Sequence, residues 1–499
     1  MSEALTERPI RFVHRDAVVE VTGLPATTTV LAWLREHAGR TGTKEGCNEG
    51  DCGACTVMVG DLQDDGEADQ GAVRWRTVNA CLQFLPTLDG RALRTVEDLP
   101  ADHPAPCAMV EHHGSQCGFC TPGFVVSLAA LRVNRPDKPP RREIADALAG
   151  NLCRCTGYRP ILDAGEAMYD RPAPAVDDRA TVAALRSLRA DPPLAYTAHD
   201  PATGHPSRFL APRTLDTLAA TAAAHPQATL LAGSTDVGLW ANKQFRPLPL
   251  LISVNAVPAF KAIAETSGVL HIGAGAALED AWSALVAHLP PLRDYALRFA
   301  SPPVRHAGTM GGNLANGSPI GDTAPVLMAL DARIVLRHGD AERTLPLDGF
   351  YTGYMKNQRQ AGELLWRIEV PLPGMSTALR AYKLSKRFDC DISALACGLA
   401  LTWDGGRITA ARVAFGGMAA TVARAPGAEA ALTGQPWTEA TLQAACDALA
   451  QDYTPMSDLR GSAGYRVRSA RALLRRFWLE TRPDARLPAS ATQVWEVSA

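Results

Sequence analysis

Apolar and polar positions alternate through residues 8–22, a period of two that predicts a pair of strands. Thr29 then precedes Val30, Leu31 and Leu34, a capping hydroxyl before a helical spacing that ends at Gly39. A short apolar run, Thr56-Val57-Met58-Val59, predicts a strand after a glycine-rich loop, so this region reads as a small mixed α/β unit. From Thr121 the period lengthens. Thr121 reads as an N-cap with Pro122 at the first helical position, and Phe124, Val125, Leu128 and Leu131 recur at helical spacing. A second helical pattern, Ile144 to Leu148, stops at Gly150, and residues 104–168 read as a helical unit. Residues 169–206 combine prolines with Asp and Arg and hold no long apolar run; they read as a linker interrupted by a short helix near Thr181 to Leu188. Beyond it, strands at Thr229–Ala232 and Val269–Gly273 alternate with Ala-rich helices at Leu215–Ala224 and Leu278–His288. A further alternation begins near Leu379 and runs to a basic helix ending about Leu479, and neither an internal repeat nor a low-complexity tract interrupts the pattern.

The 499 residues exceed one ordinary core, and a prior of roughly 150 residues per domain gives about three. Fifty Lys and Arg against fifty-two Asp and Glu leave a net charge of −2, which is no electrostatic footprint for nucleic acid or an anionic membrane. The start, Met-Ser-Glu-Ala-Leu-Thr-Glu-Arg-Pro, lacks a charged-then-apolar leader, and no apolar run reaches about eighteen residues. A cytoplasmic protein is expected. Nine of the twelve cysteines fall within the first 155 residues, and in a reducing compartment such clustering points to metal or redox chemistry.

Cys47, Cys52, Cys55 and Cys81 form C-x4-C-x2-C with a distant fourth thiol, the spacing of plant-type [2Fe–2S] centres. Gly46, Gly50 and Gly53 let the loop wrap closely and turn backbone N–H groups toward the sulfurs. The alternative, a four-cysteine zinc site, ordinarily uses two short knuckles, and the four-residue gap with a lone fourth cysteine argues against it. Cys117, Cys120, Cys153 and Cys155 form C-x2-C and C-x-C across a helical hairpin. Zinc and iron–sulfur compete more closely here, and the neighbouring redox-type set favours an electron path. Cys107, Cys390, Cys397 and Cys446 have no partner spacing and read as buried apolar thiols, while His112 and His113 read as surface histidines.

Taken together, Gly42 to Val57, Gln116-Cys117-Gly118-Phe119-Cys120-Thr121-Pro122-Gly123 and Asn151-Leu152-Cys153-Arg154-Cys155-Thr156-Gly157-Tyr158 resemble the iron–sulfur half of the molybdenum hydroxylases, the xanthine dehydrogenase and aldehyde oxidase family. The resemblance covers residues 8–168, and all eight ligands are present. It implies a β-grasp, ferredoxin-like [2Fe–2S] domain over 8–92 and a helical [2Fe–2S] domain over 104–168.

In the second half, Gly273-Ala274-Gly275 follows a strand and imitates a dinucleotide fingerprint, but Leu278 stands at its third position, so no Rossmann site is assigned. Two other stretches are better placed. Leu230-Leu231-Ala232-Gly233-Ser234-Thr235-Asp236-Val237 is a strand entering a tight polar turn that offers N–H groups and hydroxyls to a pyrophosphate. Thr309-Met310-Gly311-Gly312-Asn313, followed by Asp322, is a second loop of little bulk. Alone, either is equally a tight turn. As a pair they resemble the FAD-binding domain of the same family, which belongs to the vanillyl-alcohol-oxidase-like flavin fold.

That resemblance places residues 230–237 and 309–313 on the pyrophosphate and ribityl portion and Asp322 on a ribose or ribityl hydroxyl, with Phe299, Leu365 and Lys383 at further flavin contacts. Lys383 reads equally as a surface charge. Arg387, Asp389 and Asp391 read either as a loop beside the flavin or as solvated surface. The implied architecture is α+β and multidomain: 8–92, 104–168, a linker over 169–206, an FAD-binding domain over 207–374 and a small C-terminal α+β flavoprotein domain over 378–480.

Clusters first and flavin second on one chain resemble the two-subunit bacterial members of the family. This implies FAD and two [2Fe–2S] clusters here, a large molybdopterin-binding partner subunit, an (αβ)2 heterotetramer, and NAD+ as acceptor of electrons from hypoxanthine or xanthine on their way to urate. The alternatives are the same role beside a partner that hydroxylates an aldehyde or N-heterocycle, and a stand-alone NADH-dependent flavin and iron–sulfur reductase.

Overall fold

The computed structural model describes residues 4–63, 72–172, 177–201, 204–488 and 491–492. The alternation at the start of the chain becomes Ile10–His14 and Ala17–Val21, paired antiparallel. These join a five-stranded mixed sheet with Ala92–Arg94, Thr56–Gln63 and Ala72–Asn79, in which Ile10–His14 runs parallel to Ala92–Arg94. The expected strand at 56–59 is thus twice as long as its apolar run. The Thr29 hydroxyl caps the helix Val30–Ala32, which continues as one π turn through Trp33–His37 and ends before Gly39, where φ is +66°. Trp33 packs edge-on against the fully buried Phe12, fixing this helix across the sheet.

Four helices, Pro104–Glu111, Thr121–Asn134, Arg141–Ala147 and Arg159–Ala167, form the next unit around Phe124, Leu128, Ile144 and Ile161. The start of the second lies one residue earlier than expected. Cys120 is the cap position, and the Thr121 hydroxyl turns to Ser115. A candidate metal ligand thus sits where a capping side chain would.

The reading of 169–206 as a linker is corrected at both ends. The helix Arg179–Arg189 buries Leu185 and Leu188 against the first two units, and the Trp75 indole donates to Asp178 at 3.0 Å. Leu194–His199 is a strand, with Leu194, Tyr196 and Ala198 directed inward at a period of two that Pro192 and Pro193 disguise. It pairs antiparallel with Pro206–Ala211 and parallel with Thr6–Glu7 from the start of the chain.

The flavin-side domain therefore begins before 207. Its first sheet has the order Thr6–Glu7, Leu194–His199, Pro206–Ala211, Leu250–Ser253, Thr229–Leu231, the last three mutually parallel. Its second is antiparallel: Ile263–Thr266, Val269–Gly273, Leu364–Pro371, Arg333–His338, Ala341–Pro346. Helices Leu215–Ala224 and Leu278–His288 occupy the expected bounds. The last domain is a four-stranded antiparallel sheet, Thr377–Leu384 to Ala423–Arg424, backed by Pro426–Leu432, Glu439–Asp452 and the basic Ala463–Thr481. Among the described residues no helix is long and apolar enough to cross a membrane.

Phe124 is 1 % exposed at the centre of the helical unit. Phe124→Ala should cost about 3–5 kcal/mol and move the unfolding of this unit to lower urea, read as earlier loss of the visible absorbance of the centre bound by Cys117, Cys120, Cys153 and Cys155.

Candidate functional site: two cysteine cages and a flavin cradle

The eight candidate ligands gather as two sets, and within each the thiols meet in pairs. Cys47 is neighboured by Cys52, and Cys55 by Cys81; in the second set Cys117 is neighboured by Cys155 and Cys120 by Cys153. Two thiolates for each of two irons is what a binuclear centre takes. Among the described residues no three His, Cys, Asp or Glu side chains converge as a site for a single ion. The neighbouring Cys52 thiol, with backbone N–H groups behind it, holds the Cys47 thiol down to about 5 against the cost of burial, while Cys52 is itself pushed up by its neighbour and by burial. The N–H groups of Asp51 and Cys52 both point at the Cys47 sulfur at 3.4 Å, as the bare loop predicts. In the second set the Thr156 hydroxyl donates to Cys153 at 3.1 Å, while burial and the neighbouring Cys153 push the Cys120 thiol, at the N-terminus of Thr121–Asn134, up to about 12.

Two of the loop glycines have different tasks. A Cβ on Gly46 would lie 2.8 Å from the Cys52 sulfur, inside the cage. Gly53, at φ +70°, faces the helical unit instead: a Cβ there would meet the Gly150 carbonyl at 2.4 Å. Gly123 is as close from the other side, its Cβ position 2.1 Å from the Gly53 carbonyl. The two units therefore touch backbone to backbone. Leu152 N donates to Cys52 O at 3.0 Å, and the Asn151 amide donates to Gly53 O at 3.1 Å while accepting from Ser127. Each cage thus has a ligand or a ligand's neighbour bonded to the other.

The flavin loops also pair as expected. Thr229–Leu231 delivers the turn 232–236, in which Ser234 takes φ +63°, and the chain enters the helix Val237–Asn242. Thr309 caps Met310–Asn316, accepting from Gly312 N. A Cβ on Gly233 would lie 1.9 Å from Ala307 O, so the two turns press together as bare backbone. The Ser234 hydroxyl is buried and has no hydrogen-bond partner among the described residues. An orphaned donor and two helix N-termini beside a glycine turn fit a dinucleotide pyrophosphate.

The imitation fingerprint at 273–275 has a packing role. Gly273 and Gly275 lie against Phe260, and Gly311 lies against Ala274, donating its N–H to Ala274 O at 2.9 Å.

Asp322 and Lys383 are brought directly together at 2.7 Å, both side chains nearly inaccessible, which excludes the surface reading of Lys383. Ser393 donates to the other Asp322 oxygen, and the Tyr295 hydroxyl to its carbonyl. Phe299 and Leu365 line the same core, alongside Trp282 and Met310. Arg387 leaves the flavin side and reaches Asp51 in the first cysteine loop. Of the unpaired cysteines, Cys397 and Cys446 are buried as expected; Cys107 and Cys390 are half-buried, and His112 and His113 are exposed.

The side chains that join the first cage to the flavin turns are absent from the sequence reading. Gln83, two residues after a ligand, donates to Gly233 O at 3.0 Å. Asn242 donates to Cys81 O at 2.7 Å, and Lys243 to Cys47 O at 2.6 Å. None lies in a motif; each acts by tertiary placement.

Four family models cover nearly this whole arrangement: a 2Fe-2S iron-sulfur cluster binding domain over 14–85, a [2Fe-2S] binding domain over 95–166, an FAD binding domain in molybdopterin dehydrogenase over 205–373 and a CO dehydrogenase flavoprotein C-terminal domain over 380–481. The chain is 32 % identical to a xanthine dehydrogenase/oxidase of Gallus gallus across 88 % of its own length and 37 % of that protein's. It is 31 % identical to aldehyde oxidase 2 of Cavia porcellus across 89 % and 37 %. It thus spans little more than a third of these relatives. Among solved structures, a carbon monoxide dehydrogenase from Hydrogenophaga pseudoflava lacking the Mo-pyranopterin moiety of its molybdenum cofactor superposes with a TM-score of 0.51 and 31 % identity, over 54 % of this chain and 94 % of that one.

Lys383→Met leaves Asp322 buried without its cation, a loss of about 3–5 kcal/mol. Flavin stoichiometry should fall while iron content is retained, measured on the same sample by released-flavin absorbance and iron analysis. Gly53→Ala should act in the opposite sense, lowering iron and acid-labile sulfide because neither the backbone angle nor the Gly150 contact admits a Cβ.

Proposed function

Because the chain belongs to the molybdenum hydroxylase family, of which it carries two [2Fe–2S] domains and the FAD-binding domain, we propose that it is the iron–sulfur and flavin subunit of a cytoplasmic xanthine dehydrogenase. Its partner is a larger molybdopterin-binding chain, in a two-plus-two assembly. Xanthine or hypoxanthine is hydroxylated on the partner, and the electrons leave this chain to NAD+. When bound, the clusters supply one-electron transfer, and FAD supplies the conversion to a two-electron hydride acceptor.

The observation that carries the reading is the unequal exposure of the two cages. Cys117 and Cys155 are exposed, and Phe119, Tyr158 and Val110 stand exposed in the same unit. Exposed aromatic and apolar side chains next to a redox centre suit a partner's approach. Cys55 and Cys81 are 2 % and 1 % exposed, and the first cage is bonded to the second on one side and to the flavin turns on the other. These contacts support an order of partner, second cluster, first cluster, FAD. Within it, Asn151 and Gly53 keep the cages in register, and Gln83 and Asn242 fix the first cage against the flavin cradle.

The near-equal identity to an aldehyde oxidase supports a second reading, the same wiring beside a partner that hydroxylates an aldehyde or an N-heterocycle. Native purification should bring down a larger molybdopterin-binding chain. The complex should then reduce NAD+ with xanthine or hypoxanthine in a substrate screen. Turnover of aldehydes or other heterocycles alone establishes the second reading. A chain that purifies alone and reduces acceptors with NADH at full rate overturns both.

A further inference from the structure

The loop holding the first cluster carries two carboxylates, Glu49 and Asp51, between Cys47 and Cys52. Each is met by a cation from the flavin-bearing half of the chain. Lys243, following the helix Val237–Asn242, lies 3.8 Å from Glu49 and donates to the Cys47 carbonyl at 2.6 Å. Arg387 donates to Asp51 at 3.0 Å across 336 residues of sequence.

Arg387 is held for this contact. Its guanidinium also donates to Cys390 O at 2.6 Å, and its own N–H donates to Asp391 at 2.8 Å. Arg298 anchors the same segment from beneath, donating to Lys383 O at 2.7 Å and lying 4.7 Å over the Phe388 ring. The segment starts at Lys383, the residue paired with Asp322 at the flavin side. With side chains 44 % and 42 % exposed, the Arg387–Asp51 pair contributes little to stability. What it delivers is a fixed positive charge next to a ligand loop.

We propose that Arg387 and Lys243 are positioning residues that set the reduction potential of the first cluster from across the domain interface. This deepens the functional reading above and rests on it, since it takes the Cys47, Cys52, Cys55 and Cys81 centre as the relay next to FAD. Reduction adds one electron to a centre that four thiolates already make anionic. A nearby cation therefore favours the reduced form and a nearby carboxylate disfavours it. Glu49 and Asp51 alone would make this relay a poor acceptor; the two cations offset them only when the flavin-bearing domains are docked.

The test is an electron-paramagnetic-resonance redox titration of the full chain with both clusters and FAD, using dithionite as reductant. Arg387→Gln and Lys243→Met should each shift the first cluster to lower potential, and Asp51→Asn to higher potential. The double variant Arg387→Gln/Asp51→Asn should return toward the parent, and Arg387→Lys should keep most of the parent value. The second cluster should not move. The shifts should narrow between about 10 mM and 1 M salt, as the screening length falls from roughly 30 Å to 3 Å.

No shift in Arg387→Gln and Asp51→Asn, shifts of the same sign, or equal movement of both clusters overturns the proposal. Iron and flavin stoichiometry on the same samples separates the two levels: a full complement of clusters and FAD with no shift refutes the proposal alone, whereas missing clusters or flavin refutes the relay reading and the proposal with it.

Discussion

The contact on which the other parts depend is the backbone-to-backbone approach at Gly53. Here the first cysteine loop lies against Gly123 and Gly150 with no side chain between them. Electron transfer between centres falls steeply with separation, so the protein has to bring two metal cages together without letting water or bulky side chains in. It does so by removing Cβ atoms on both sides and satisfying the freed polar groups from Asn151 and Leu152. The same device recurs at the flavin cradle, where Gly233 meets Ala307 and Gly308. The placement of each cofactor is thus dictated by where two chains of bare backbone are allowed to touch.

Much of this was legible in residue order, for a physical reason. A cysteine cage is built from short spacings: three cysteines of the first set lie within nine residues and the second set is two close pairs, 117/120 and 153/155, so the pattern shows whatever the rest of the chain does. The helices at 215–224 and 278–288 were equally readable, because each buries one apolar stripe against a single core. The strand Leu194–His199 is hidden in the sequence because its period-two pattern is short and preceded by two prolines, and because its partner Thr6–Glu7 is far away along the chain. Thr121 has the composition of a cap, but Cys120 holds that position without a capping bond and the Thr121 hydroxyl turns to Ser115.

The side chains joining one centre to the next were the least legible. Gln83, Asn242 and Lys243 have ordinary compositional surroundings and gain their roles by meeting a carbonyl of another domain. Gly273 and Gly275 teach the converse: a pattern that imitates phosphate recognition serves close packing against Phe260. Lys383 stands between these cases. A lysine in a strand is usually a solvated charge, and it is the partner contributed 61 residues away, Asp322, that turns it into a buried anchor.

The strand Thr6–Glu7 carries a topological consequence. It lies beside Leu194–His199 in the flavin-side sheet, with Arg8 bonded to Ala195 and paired with Asp89. The chain therefore leaves that sheet at its first strand, builds both cysteine cages, and comes back to the adjacent strand. The cluster domains are an excursion closed at its base, gripped at two ends as a loop is by a clasp. They cannot swing away from the flavin as a bead on a string would; separation requires peeling an edge strand from a hydrogen-bonded sheet. The clasp is two residues long, tied by Thr6 N to Pro193 O at 2.9 Å and Arg8 N to Ala195 O at 3.0 Å, so opening the base means breaking these bonds along with those at the cages.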